Sequence, residues 1–239
     1  MGDGHFRQTY NDIHLLCQST AERIKQEFNP DMMIAIGGGG FIPARIIRSF
    51  LKVGDTKRNI PIQAIGLSLY EALPGQTTEE VIGEKVIRTQ WLDFSTLGSK
   101  ISHGGLLGRR ILVVDEIDDS RKTLSYALKE LIKDVNQQLE LVQDTKERAR
   151  LAETTKFGIF VVHNKLKEKA AEIPEGVAYF SGMDIDDVWV DYPWEMVDIL
   201  QHDELKRQDD AEKAATGKQR ENAVTELVSR NVELQEDAD

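Results

Sequence analysis

Asp115, Glu116, Asp119, Ser120, Arg121, Lys122 and Thr123 fall within nine consecutive positions. Paired carboxylates accept hydrogen bonds, so Asp115 and Glu116 suit the two hydroxyls of a vicinal diol. Ser120 and Thr123 offer hydroxyl donors, and Arg121 or Lys122 offers a positive charge. The aliphatic run at residues 111–114 ahead of them reads as a buried parallel strand that the two acids close. Behind them, Leu124, Leu128, Leu131 and Ile132 repeat on one helical face, and the helix is expected to run to about residue 134. A helix start carries unpaired N–H groups and partial positive charge, which favour a phosphate. Strand, acidic turn, hydroxyl-rich turn and helix together would grip a 5-phosphoribosyl group end to end. A buried strand followed by a solvated acidic turn and an ordinary helix cap fits the same charges.

The elements around this stretch can be read in order. Residues 10–28 space Ile13, Leu16, Cys17, Ile24 and Phe28 as an amphipathic helix, which Asn29-Pro30 ends. Residues 32–36 form a first buried strand. Gly37, Gly38, Gly39 and Gly40 follow at once, then Pro43 in a first helical turn. A glycine run between strand and helix lets backbone N–H groups approach an anion closely, or serves as a tight turn. It matches neither a dinucleotide fingerprint nor a nucleotide P-loop. Residues 61–70 read as a strand, 71–84 as a long polar loop, and 85–91 as a second extended segment. Residues 136–153, rich in Gln, Lys, Glu and Arg, read as an exposed helix or insertion. Residues 157–162 form another apolar strand, with His163 and Lys165 at its C-terminal end, where ligands bind in open α/β sheets. Taken alone, His163 is a structural histidine and Lys165 a surface lysine. A short strand at 177–180 leads to an aromatic, acidic segment containing Asp187, Trp189, Val190, Asp191, Trp194 and Glu195.

Composition narrows the classes. The chain has 239 residues, 40% of them hydrophobic, as in a globular protein. A formal charge of −11 argues against general nucleic-acid binding, and no apolar run approaches a membrane span. The single cysteine, Cys17, fits a reducing, cytoplasmic setting and lies on an apolar helical stripe. From His202 onward Lys, Glu, Asp, Gln and Ala dominate. Val224, Leu227 and Val228 keep near-helical spacing, so residues 202–239 read as a tail, helical and docked or solvated and disordered.

Four motifs in order resemble the type I phosphoribosyltransferases, specifically the hypoxanthine/xanthine-guanine group. They are the glycine loop, the stretch at 115–123, Lys165 and the segment around Trp189, spread over roughly residues 10–200. The resemblance implies an α/β fold with a mostly parallel sheet flanked by helices. It also implies a small hood, built from residues near the N-terminus and about 165–200, on a domain of residues 1–201. It implies transfer of 5-phosphoribose from phosphoribosyl diphosphate to a 6-oxopurine, with Mg²⁺ as cofactor and a dimer or tetramer as the assembly. Residue by residue, Asp115 and Glu116 hold the ribose hydroxyls, with Glu116 closest to the metal. Asp119 faces purine N7 as general acid and base. Ser120, Arg121, Lys122 and Thr123 take the 5′-phosphate, and Gly38 and Gly39 the diphosphate. Lys165 reads the carbonyl at purine position 6, Trp189 stacks on the ring and Val190 lines its edge. Lys85 and Arg88 are further diphosphate candidates. Two departures stand out: Arg121 where members commonly have Gly, and Gly38 where many have Arg or Lys. A regulator that senses phosphoribosyl diphosphate on the same fold is the rival reading.

Overall fold

The computed structural model of the protein describes residues 4–52, 59–70, 85–93 and 105–215. The loop at 71–84, the side chain of Lys85 and the apolar positions Val224, Leu227 and Val228 lie outside the described residues. The chain divides into two units, one formed by Asn11–Asp187 and one by Met1–Tyr10 with Val188–Asp239.

In chain order the elements are β1 (His5–Arg7), α1 (Tyr10–Glu27), β2 (Met32–Gly37), α2 (Phe41–Ile47), β3 (Ile62–Tyr70) and β4 (Lys85–Gln90). They continue with β5 (Arg110–Asp118), α3 (Lys122–Glu140), α4 (Thr145–Thr154), β6 (Lys156–Lys165), β7 (Ala178–Ile185) and β8 (Trp189–Asp191). The apolar stripe of α1 is buried as its spacing implies, with Ile13, Cys17 and Ile24 fully enclosed. Burial pushes the Cys17 thiol up to about 12, so it is an inert core residue and no nucleophile.

The larger unit carries a six-stranded sheet in the order β4-β3-β2-β5-β6-β7. Every neighbouring pair is parallel except β3 and β4. Central strands buried on both faces need continuous apolar runs. Ile34, Ala35, Val113, Val114, Phe160 and Val161 supply them, all without solvent exposure. From β2 the chain crosses to β3 on one side, and from β5 to β6 on the other. The strand order therefore reverses between β2 and β5, which opens a crevice at their C-terminal ends.

Two boundaries differ from the sequence reading. β5 does not stop before the acids but continues to Asp118, because Ile117 and Asp118 pair with His163 and Asn164 of β6. Pairing between strands, which no local run reveals, carries the polar residues into the sheet. α3 runs to Glu140 rather than ending near residue 134, and its face keeps Leu131 and Val135 buried. A separate helix, α4, then starts where the Asp144 carboxylate accepts from the backbone N–H groups of Lys146 and Glu147.

In the smaller unit β1 pairs in parallel with β8. Helical residues 199–215 are tied to the same strand. Arg7 Nη1 donates to Asp209 at 2.8 Å and His202 Nε2 lies 2.9 Å from the Gln8 carbonyl oxygen. Tyr192 and Trp194 stack at 4.6 Å. The described part of the charged C-terminal segment is thus helical and pinned, and residue 202 lies inside that helix. Among the described residues no helix is long and apolar enough to cross a membrane.

His163 is fully buried in β6. Burial lowers its pKa to about 4 from 6.5, with the Asp12 carboxylate opposing. Below pH 6.5 the unfolded chain takes up a proton here that the folded chain refuses until about pH 4. The folded state therefore keeps this contribution in full above pH 6.5 and loses it as pH falls toward 4. His163→Gln should shrink the loss of unfolding free energy between pH 7 and pH 5 by about 2 kcal/mol, measured by urea titration.

Candidate functional site

A cavity of about 300 Å³ occupies the crevice between the C-terminal ends of β2 and β5. Gly37, Gly38 and Gly39 form one wall; Asp115, Glu116 and Asp119 with Ser120, Arg121 and Thr123 form the other. The two motifs thus meet across one space, although 75 positions separate Gly40 from Asp115. Lys122 does not line it.

The glycine wall is set by close approach. The Gly37–Gly38 peptide bond is cis. A Cβ on Gly39 would collide with the Glu116 carboxylate, which therefore rests directly against the loop backbone. A Cβ on Gly40 would strike the carbonyl oxygens of Val114 and Ile36, which packs the start of α2 against β5 and β2. Among the described residues nothing lies within 4 Å of the corresponding position on Gly38.

The opposite wall is an acidic strand end running into a helix start. Asp115 is buried, and its Oδ1 accepts from the Glu116 backbone N–H at 3.0 Å. Desolvation, then the charge and hydrogen bond of Glu116, raise its pKa well above the ordinary aspartate value. Asp115 accordingly holds its proton to higher pH than an ordinary aspartate. Arg121 caps α3 in the left-handed conformation, φ 68°, the conformation that its place in a glycine position called for. The first turn of α3 contains no acid, so no carboxylate of that turn would compete with an anion for its unpaired N–H groups.

Lys165, only 9% exposed along its side chain, reaches from the end of β6 to Asp119. Its Nζ donates to Asp119 Oδ2 at 3.1 Å and lies 3.3 Å from Asp187 Oδ1. Lys167 Nζ lies 2.6 Å from Asp119 Oδ1 and 3.1 Å from Asp187. Two lysines and two aspartates form one neutral cluster. Partial burial pushes the Asp119 carboxyl up, but hydrogen bonds from Lys167 and Lys165 outweigh it and hold the pKa below the usual value. Asp119 therefore stays ionised as an acceptor.

Other expected site residues fall elsewhere. Trp189 is 68% exposed and Val190 is buried, both on β8 of the smaller unit. Arg88 lies over the Trp91 ring, its guanidinium 4.1 Å from the centroid, and pairs with Glu130. Lys167 and Asp187 were not read as site residues. The alternation Lys165, Lys167, Lys169 just beyond a buried strand was the available signal, since such positions share one side of an extended chain.

No family model matches the chain. It is 55% identical over 198 residues to a hypoxanthine-guanine phosphoribosyltransferase of Schizosaccharomyces pombe, covering 82% of this chain and 91% of that protein. It is 47% identical over 204 residues to xanthine phosphoribosyltransferase 1 of Saccharomyces cerevisiae, covering 83% and 93%. Among solved structures, a hypothetical protein from Neisseria gonorrhoeae with bound ppGpp superposes with a TM-score of 0.64 at 37% identity, over 86% of this chain and 97% of that one. A purine phosphoribosyltransferase from Pyrococcus horikoshii shares the fold, with a TM-score of 0.51 at 21% identity over 82% and 96%.

The two glycines should respond differently to an added methyl. Gly40→Ala meets backbone and should cost about 2 kcal/mol or more of unfolding free energy. Gly39→Ala meets first a carboxylate that can swing aside, and should cost less than about 1 kcal/mol. Urea unfolding of the two variants measures the difference.

Proposed function

This chain belongs to the hypoxanthine-guanine and xanthine phosphoribosyltransferases, and from that premise we propose the roles of its residues. As a purine-salvage transferase it moves 5-phosphoribose from phosphoribosyl diphosphate to a 6-oxopurine, releasing pyrophosphate. Hypoxanthine and guanine are the proposed acceptors, with xanthine as a third.

The contact between Lys165 and Asp119 carries this reading. A donor and an acceptor sit 3.1 Å apart. On a 6-oxopurine the carbonyl at position 6 and N7 are neighbouring groups on one edge. Lys165, a donor only, meets the carbonyl; Asp119 takes the proton that leaves N7 as N9 bonds to C1′. Adenine puts an amine at position 6, so donor would face donor and both would go unpaired. When Lys165 turns to the base, Lys167 still pairs with Asp119 and keeps it ionised. In the smaller unit, exposed Trp189 offers an indole face for stacking and Val190 an edge contact.

At the other end of the cavity, the start of α3 with Ser120, Thr123 and the remaining donors of Arg121 suits the 5′-phosphate. Asp115 and Glu116 accept from the ribose hydroxyls. Negative charge on this pair also stabilises the sugar as the bond from C1′ to diphosphate breaks and its electrons leave with pyrophosphate. Gly38 and Gly39 offer backbone N–H groups to the diphosphate. Magnesium fits this wall: Glu116 is a hard oxygen donor beside a second carboxylate, and the ion needs only one or two of these plus substrate oxygens. Among the described residues no cluster of three or more protein ligands competes for that role. Bound there, Mg²⁺ would neutralise the diphosphate charge. The ppGpp held by the gonococcal relative is a guanine nucleotide with diphosphate groups, which supports a site of this chemistry. A cytoplasmic setting, supported by the single thiol of Cys17, and a homodimer or homotetramer complete the proposal.

Pyrophosphate release from phosphoribosyl diphosphate with Mg²⁺, measured separately for four bases, tests the reading. Release with hypoxanthine and guanine but not adenine is expected; no release with any base would favour the sensor. Asp119→Asn should fold normally and lower kcat by roughly 10²–10⁴-fold.

A further inference from the structure

Asp118 lies one residue before the acid assigned to proton transfer, and it is only 1% exposed. A buried carboxylate persists where several donors reach it. Arg121 Nε and Nη2 donate to Asp118 Oδ2 at 2.9 and 2.8 Å, and the Tyr179 hydroxyl donates to the same oxygen at 2.8 Å. Lys169 Nζ stands 3.6 Å from Oδ1. The Arg121 guanidinium also lies over the Tyr179 ring at 5.4 Å. The residue whose backbone takes the left-handed form at the phosphate loop therefore has its side chain clamped from below.

The loop backbone is held by the same neighbourhood. Lys169 Nζ donates to the carbonyls of Asp118 and Asp119 at 2.7 and 3.0 Å, and the Ala170 N–H donates to the Ser120 carbonyl at 3.0 Å. Three successive carbonyls thus point at residues 169–170. In a trans peptide the C=O and the following N–H point in opposite directions. The N–H groups of Asp119, Ser120 and Arg121 then face away from that segment, and all three residues line the cavity.

We propose that Asp118, with Arg121, Tyr179 and Lys169, is a positioning cluster that holds the loop amides ready for the 5′-phosphate. The cluster supplies by side-chain contacts the loop conformation that a glycine at position 121 would supply by backbone freedom. It carries two cations against one carboxylate, so a net positive charge also remains beneath the phosphate. The proposal deepens the transferase reading, on which it rests: Asp118 acts on phosphoribosyl diphosphate through the loop and does not touch the purine.

Steady-state kinetics of Asp118→Asn, Tyr179→Phe and Arg121→Gly, alone and combined, test it. Asp118→Asn should raise KM for phosphoribosyl diphosphate roughly 10–100-fold while KM for hypoxanthine stays within about twofold. Tyr179→Phe keeps the ring and removes one donor, so it should shift the same constant in the same direction by a smaller factor. In an Arg121→Gly background Asp118→Asn should add less than about threefold, because the clamped side chain is gone. Unchanged KM for phosphoribosyl diphosphate, equal rises in both KM values, or full additivity with Arg121→Gly would overturn the cluster's role. A merely structural Asp118 would lower the folded fraction, and with it the apparent kcat, without splitting the two KM values. If the wild-type chain binds phosphoribosyl diphosphate but releases no pyrophosphate, the transferase reading fails. The same comparison is then read on dissociation constants for phosphoribosyl diphosphate and ribose 5-phosphate.

Discussion

The site depends on how far β5 and β6 stay paired. Their apolar runs end near residue 114 and residue 162, yet the parallel ladder continues to Asp118 and Asn164. Four more residues of pairing put Asp119 and Lys165 at the rim of one sheet edge, 3.1 Å apart. Had the strands separated at the end of their apolar runs, the acid and the lysine would belong to two independent loops. Fully buried Val113, Val114, Phe160 and Val161 anchor that ladder from below. Core packing and the placement of a donor beside an acceptor are therefore one constraint. Between β5 and β2 the reversal of strand order supplies the crevice, and the glycine loop closes it.

Electrostatics then reconcile an acidic chain with an anionic substrate. A net charge of −11 opposes a diphosphate at long range. Locally the balance differs. The first turn of α3 has no acid, Lys165 and Lys167 neutralise Asp119 and Asp187, and Arg121 with Lys169 outnumber Asp118. Asp115 retains its proton more strongly than an isolated aspartate because it is desolvated and Glu116 stands beside it. Asp118, Asp119 and Asp187 each have a charge partner, and Asp115 has a raised pKa.

Much of this was legible in one dimension. Continuous β-branched runs mark buried parallel strands, and α1, β2, β3 and β6 lie close to where the pattern puts them. The stretch from Asp115 to Thr123 also identifies itself, because acids, hydroxyls and cations rarely crowd between a buried strand and an amphipathic helix. Elsewhere local pattern is silent. The end of β5, the extent of α3 and the docking of residues 199–215 on the N-terminal strand all depend on partners distant in sequence.

The sequence by itself determined the α/β class, the two loops that bracket the cavity and the family, because each rests on neighbours within a few positions. Tertiary structure alone decided which charges are shared. Asp118 looks like one more acid of a solvated turn until Tyr179 and Lys169, 61 and 51 positions away, are brought onto it. Arg121 is a basic residue in a phosphate motif until its guanidinium is found on Asp118, and Lys167 is a surface lysine until it reaches Asp119. Hydrogen bonds and ion pairs act over about 3 Å. Only the folding of distant segments onto one another sets which groups come that close.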